Sequence, residues 1–199
     1  MLDWESLQSA CNECQRCPLG QTRTNSVFGV GDPQASILFV GEGPGEQEDL
    51  KGEPFVGKAG QLLDKMLASI GLNRRENVYI ANIVKCRPPR NRDPLPEERA
   101  ACLPFLRAQT KLIQPTIIVC LGRVAATTLI DPDFSIMRSH GVWYERKGFW
   151  MTATFHPAAL LRKEGLKRDA YKDLLSIRAK YDQLCTSAKR ESSEEMGEG

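Results

Sequence analysis

Residues 37–67 read ILFV, then GEGPGEQEDLKGEPFVGKAG, then QLLDKML. The opening run, Ile37–Val40, is short and wholly apolar, as a strand buried on both faces must be. The closing run places Leu62, Leu63, Met66, Leu67 and Ile70 at helical spacing and stops at Gly71. Between them stand Gly41, Gly43, Gly45, Gly52, Gly57 and Gly60, with a lone Phe55. A strand-to-helix loop this rich in glycine lets the backbone approach a small ligand closely. Two phosphate-binding patterns fail here. G-x-G-x-x-G from Gly41 meets Glu46 at its last position, and a P-loop breaks at Ala59, where a hydroxyl is needed. The loop is also acidic (Glu42, Glu46, Glu48, Asp49, Glu53), so it is a poor cradle for polyphosphate. Phe55 points to a flat ring as ligand; the alternative is that Phe55 plugs the core and the glycines only make turns.

Outward from this stretch, the pattern alternates strand and helix. Val27–Val30 reads as a short strand and Val78–Val84 as a strand containing Asn82. A helix is expected from about Glu97 to Ile113, bent or split at Pro104. Thr116–Gly122 is another apolar strand, followed by a helix over VAATTLI. Val142–Tyr144 and Phe149–Thr154 suggest an antiparallel pair around Arg146–Gly148. A last helix is expected from about Arg168 to Cys185. The fold class is therefore α/β, a three-layer αβα sandwich around a mainly parallel central sheet. Residues 1–186 form one domain and 187–199 a disordered tail. Ligands of such sheets bind beyond the carboxyl ends of the strands. Those ends carry Gly41–Gly45, Asn82, Gly122 and His156, which fold logic alone brings to one place.

The 199 residues suit a single domain with a real core, and 41% hydrophobic with 26% charged residues is ordinary for a globular protein. No apolar run approaches the ~20 residues that span a bilayer, and MLDWESLQSA is not a secretory signal. A cytoplasmic location and no membrane partner are expected. A net charge of +2 does not by itself imply nucleic acid. Basic residues do crowd two loops, however: Lys85, Arg87, Arg90 and Arg92, then Arg162, Lys163, Lys167 and Arg168.

Seven cysteines in a reducing compartment suggest metal. Cys11, Cys14 and Cys17 form C-x2-C-x2-C, while Cys86 and Cys102 lie far downstream. Four ligands can be drawn from these five. The wide spacing favours an iron–sulfur cluster over a zinc ribbon with its two tight pairs. A single dispersed set suits a structural cluster that ties the amino terminus to the core, rather than an electron carrier. Cys120 reads as a buried core thiol.

A ring for stacking (Phe55), an amide that donates and accepts (Asn82) and an imidazole at a strand end (His156) together describe a nucleobase pocket. With GEGPGEQEDLKGEPFVGKAGQLLDKML (41–67), NVYIANIVKCRPPRNR (77–92), CLG (120–122), HPAALLR (156–162) and CQRCPLGQTRTNSVFG (14–29), the sequence resembles family 4 uracil-DNA glycosylases. These are the iron–sulfur group of the uracil-DNA glycosylase superfamily.

The resemblance implies a base-excision repair hydrolase that releases uracil from DNA, single- or double-stranded, and leaves an abasic site. It implies that Phe55 stacks on the flipped base and Asn82 reads its pyrimidine edge. His156 and the backbone around Gly41, Glu42 and Gly43 would stabilise charge developing on uracil O2. Leu160 or Leu161 would wedge into the duplex, with Arg162 and Arg87 facing phosphates. Cys14, Cys17, Cys86 and Cys102 would hold one 4Fe–4S cluster, leaving Cys11 spare. The chain is expected to act as a monomer, with a replication clamp or repair protein as a further partner. It departs from classical uracil glycosylases at Gly43, where they carry a water-positioning aspartate, and at Gly45, where they carry a thymine-excluding tyrosine. Glu42 is the nearby carboxylate, and Glu48 is the candidate for excluding thymine's methyl group. A turnover-deficient binding module on the same fold is the competing reading. Covalent trapping is disfavoured because RPPRNRDPLPEE contains no histidine.

Overall fold

The structure, a computed structural model, describes residues 3–146 and 148–195. In chain order its helices and strands are α1 (Trp4–Asn12), α2 (Leu19–Thr22), β1 (Val30–Gly31), β2 (Ile37–Gly41), α3 (Glu46–Lys51) and α4 (Lys58–Ala68). There follow β3 (Tyr79–Asn82), α5 (Pro96–Ile113), β4 (Ile117–Leu121), α6 (Arg123–Leu129) and α7 (Ile136–Ser139). The chain closes with β5 (Tyr144–Arg146), β6 (Phe149–Thr154), α8 (Pro157–Arg162) and α9 (Lys167–Glu195).

The six strands form one sheet in the order β1-β3-β2-β4-β6-β5. The pairs β2·β3, β2·β4 and β4·β6 are parallel, whereas β1 and β5 pair antiparallel at the edges. The sheet is thus mixed, with a parallel centre. The strand alternation divides the core in two. Leu38, Val40, Ile118 and Cys120 face a cluster with Phe105 and Leu106 of α5 and Ala125 and Ala126 of α6. Ile37, Phe39, Ile117 and Val119 face Leu63 and Leu67 of α4 and Leu174 and Ile177 of α9. One apolar layer on each face is what a strand buried on both sides requires.

Several boundaries differ from the sequence expectation. The first strand contains only Val30 and Gly31, because the preceding segment instead pairs Val27 N–H with the Lys85 carbonyl. Helix α5 is continuous through Pro104 rather than split there. Pro104 faces solvent, so its ring disturbs one hydrogen bond while Cys102, Phe105 and Leu106 stay packed. Helix α9 continues to Glu195, past the end expected near Cys185. Residues 196–199 of the expected tail, and Lys147 in the expected turn, lie outside the described residues. Among the described residues no helix is long and apolar enough to cross a membrane.

Buried polar contacts fix the end of β6. The Thr154 hydroxyl donates to Asp173 of α9 at 2.7 Å, and His140 Nδ1 lies 2.9 Å from the same carboxylate. His140 therefore serves this joint, and the strand end that leads to His156 is tied to α9. A prediction concerns the helix proline. Pro104→Ala restores the missing donor and removes the ring clash, which should stabilise the protein by about 2 kcal/mol and raise Tm by about 4–8 °C. Scanning calorimetry measures this, and an unchanged or lower Tm would show that the proline is accommodated without penalty.

Candidate active site

The parallel register sets Gly41 directly beside Asn82 at the carboxyl ends of β2 and β3. A cavity of about 540 Å³ opens there, lined among others by Glu42, Gly43, Gly45, Glu48, Phe55, Asn82, Asp93, Arg123, His156 and Arg162. The convergence expected from the strand ends is present. A Cβ on Gly41 would overlap Asn82 Oδ1 and stand 2.5 Å from the Phe55 ring. Only glycine there leaves those two side chains their places. Asn82 is 1% exposed, and its Oδ1 is a buried acceptor without a hydrogen-bond partner among the described residues. A buried carbonyl oxygen left unpaired is destabilising by about 1–3 kcal/mol, so such an atom in a cavity marks a place for a donor.

Phe55 and His156 form two aromatic walls, with ring centroids 5.6 Å apart and planes inclined by 32°. His156 caps α8: its Nδ1 accepts the Ala158 N–H at 3.1 Å. An Nδ1 that accepts fixes the neutral ring's proton on Nε2. Burial pushes the imidazole pKa down to about 4, Arg162 pushes the same way, and Glu48 opposes them. At neutral pH His156 is therefore an uncharged N–H donor.

Glu42 moves in the opposite direction. Burial raises its carboxyl to about 7, the Asp93 carboxylate beside it adds to the rise, and Arg123 and Arg99 pull against it. Asp93 is itself held by Arg123 at 2.5 Å. Asp93 and Arg123 were missed in the sequence, where Asp93 sat inconspicuously between an arginine and a proline. Only the folded loop brings it to Glu42.

Glu48, at the third position of α3, has both carboxylate oxygens committed to the backbone. Oε2 accepts the Gly45 N–H at 3.1 Å, and Oε1 accepts those of Val56 and Gly57 at 2.9 and 2.8 Å. It buckles the glycine loop together while forming part of the cavity wall.

The two candidate leucines separate. Leu160 is 2% exposed and packed with α4 and α9, so it cannot reach DNA, whereas Leu161 is 45% exposed. Helical geometry turns adjacent residues to different faces. The basic crowd at 85–92 also resolves into different environments. Lys85 is 1% exposed and donates to the Asn82 carbonyl at 3.0 Å. Arg92 forks onto Glu98 at 2.7 and 2.8 Å. Arg87 bonds Asn91 at 2.7 Å and lies 3.7 Å from Glu46, at the surface.

A second cavity is lined by Cys11, Cys14, Cys17, Cys86 and Cys102 with Arg23 and Lys85. Arg23 donates to Cys86 Sγ at 3.0 Å, and the Lys85 N–H to Cys102 Sγ at 3.2 Å. Among the described residues, no three His, Cys, Asp or Glu side chains form a site for a single metal ion. The thiols surround a space instead of meeting at a point. Cys120 is fully buried in the sheet core, as its apolar strand implied.

The fold and the first cavity define an α/β protein with an aromatic ring, a buried amide and an imidazole lining one cavity at the carboxyl edge of its parallel strands. The model of the Uracil DNA glycosylase superfamily matches residues 28–176, and the chain belongs to that superfamily. It is 50% identical over 184 residues to the type-4 uracil-DNA glycosylase of Archaeoglobus fulgidus, covering 87% of this chain and 92% of that protein. It is 47% identical over 176 residues to the type-4 enzyme of Thermotoga maritima, covering 85% and 90%. A type-5 uracil-DNA glycosylase of Thermus thermophilus is 29% identical over 212 residues.

The Glu42–Asp93 contact generates a prediction. In a carbon-13 titration Glu42 should ionise near pH 7, and Asp93→Asn should move that midpoint toward the ordinary carboxylate range by removing the neighbouring negative charge. An unmoved midpoint would leave burial as the whole cause.

Proposed function

We propose that this protein hydrolyses the N-glycosidic bond of deoxyuridine in DNA, releasing uracil and leaving an abasic site for base-excision repair. The observation that carries the reading is the buried, unpaired Asn82 Oδ1 in a cavity that an aromatic ring, Phe55, and a neutral imidazole, His156, also line. Uracil offers an N3–H where cytosine has only an acceptor, so an amide oxygen fixed there selects the deaminated base.

In this account the flipped uracil stacks on Phe55 and donates N3–H to Asn82. His156 Nε2–H bonds to O2. As the C1′–N1 bond breaks, its electron pair passes to the uracil ring, and the hydrogen bond to O2 strengthens as charge grows there. Backbone amides around Gly41–Gly43 assist. Water adds to C1′ and its proton passes to Glu42, whose raised pKa suits a base operating near neutrality. Burial is the main cause of that raised pKa; Asp93 adds to it and Arg123 moderates it. Glu48 is pinned by three N–H groups and cannot swing aside, which suits it to blocking a C5 methyl group. Leu161 takes the wedge position, with Arg162 and Arg87 toward phosphates.

Cys14, Cys17, Cys86 and Cys102 would hold one 4Fe–4S cluster. The donor set fits: thiols from separate segments surround one cavity, with an N–H donor to each of Cys86 and Cys102. When bound, the cluster would cross-link the amino-terminal segment to the loop after β3 and to α5, with no step of the hydrolysis assigned to it. Cys11, 1% exposed and packed in the core, is the remaining thiol.

An oligonucleotide with a single uracil, and thymine and hypoxanthine controls, tests the activity. Alkali-labile cleavage should occur at uracil, and its absence from fully loaded protein would favour a binding module. Asn82→Ala and His156→Asn should each reduce excision by about 100-fold or more, well beyond any change in DNA affinity. Normal turnover by either variant would remove that residue's role. Iron and sulfide content tests the ligand set. Cys11→Ala should keep about four irons per chain and Cys14→Ala should lose them; the reverse would exchange the two thiols.

A further inference from the structure

Phe55 holds a backbone conformation that aromatic residues rarely adopt, with φ of 55°. Something must hold it there. The guanidinium of Arg74 donates to the Phe55 carbonyl at 2.6 Å and, one peptide unit earlier, to the Pro54 carbonyl at 3.0 Å. Glu48 accepts from the Val56 N–H, which belongs to the same peptide unit as the Phe55 carbonyl, and from the next N–H, that of Gly57. The peptide unit that follows Phe55 is thereby held at its carbonyl by a cation and at its N–H by an anion, and the unit before it by the same cation.

Arg74 is well placed for this work. It stands in the connection between α4 and β3, is 9% exposed, and does not line the base cavity. Its fork is itself fixed, since Asp64 accepts from Nε at 2.6 Å and Glu53 from Nη1 at 3.2 Å. A planar guanidinium can serve two carbonyls and two carboxylates at once, which a lysine ammonium cannot do in the same geometry. The α4 side of the strained peptide is closed by Gly60, because a Cβ there would overlap the Phe55 carbonyl oxygen. Released from these contacts, Phe55 would relax to negative φ and its ring would leave the position beside Gly41 and His156.

We infer that Arg74 is a positioning residue for base recognition: it holds the Phe55 backbone in its strained conformation and so presents the ring to the flipped base from outside the pocket. This rests on the reading of Phe55 as the stacking residue of a uracil glycosylase.

The test is a double-mutant cycle on the cluster-loaded full chain with single-stranded uracil oligonucleotide, after wild-type excision has been established. Arg74→Lys should lower kcat/KM by about 10-fold or more and weaken inhibition by free uracil by a similar factor. Gly60→Ala, whose added Cβ would overlap the same carbonyl, should reproduce both losses. In a Phe55→Ala background neither substitution should cause a further loss beyond about twofold. Fold losses that multiply undiminished in that background would overturn the inference, as would Arg74→Lys and Gly60→Ala proteins that bind free uracil normally. A wild-type chain that releases no uracil would instead defeat the functional reading on which the inference rests.

Discussion

The site depends on one contact, the parallel pairing that sets Gly41 beside Asn82. Register in a parallel sheet is fixed by which side chains must be buried on each face. Here Leu38 and Val40 belong to one core and Ile37 and Phe39 to the other, so a slip by one residue would reverse both faces. The hydrophobic layers thus determine where β2 and β3 end relative to each other. With that register set, an amide stands next to a residue without a side chain, and Phe55 can fold over the gap. The energy that places Asn82 Oδ1 unpaired in a cavity comes from apolar packing elsewhere in the sheet.

The same burial acts on the two titratable groups of the pocket in opposite senses. It keeps His156 neutral and makes Glu42 hard to ionise, because low polarity disfavours charge of either sign. In the proposed reaction the histidine would contribute a hydrogen bond without requiring a proton from solvent. The carboxyl, raised further by Asp93, would serve there as a base of moderate strength. This division of labour suits a reaction in which the leaving base carries its own negative charge. The strained Phe55 peptide, held by Arg74 and Glu48, belongs to the same design: rigidity is built before substrate arrives.

Much of this was legible in the chain. The apolar runs at Ile37–Val40 and Thr116–Leu121 announced buried strands, and fold logic then gathered Gly41, Asn82, Gly122 and His156. The motifs that accompanied them placed the chain in its family. What stayed hidden depended on side-chain direction and on contacts distant in sequence. Leu160 and Leu161 are equivalent as letters, and only the facing of α8 separates core from surface. Lys85 and Arg92 looked like surface charge until folding buried one and paired the other. Arg74 and Asp93 act on residues 19 and 51 positions away, Phe55 and Glu42, through geometry that no local pattern encodes. Pro104 signalled a broken helix, but the packing of its neighbours keeps α5 whole.

The role proposed for the buried Asn82 oxygen is to accept the N3–H of uracil. It is tested most directly by comparing inhibition of excision by free uracil and by 3-methyluracil, which lacks that one donor and clashes at the same edge. The account predicts that 3-methyluracil inhibits about 100-fold or more weakly than uracil, with the difference collapsing in Asn82→Ala. Equal inhibition of the unaltered protein by the two compounds would contradict it, and the base would have to be read by another group.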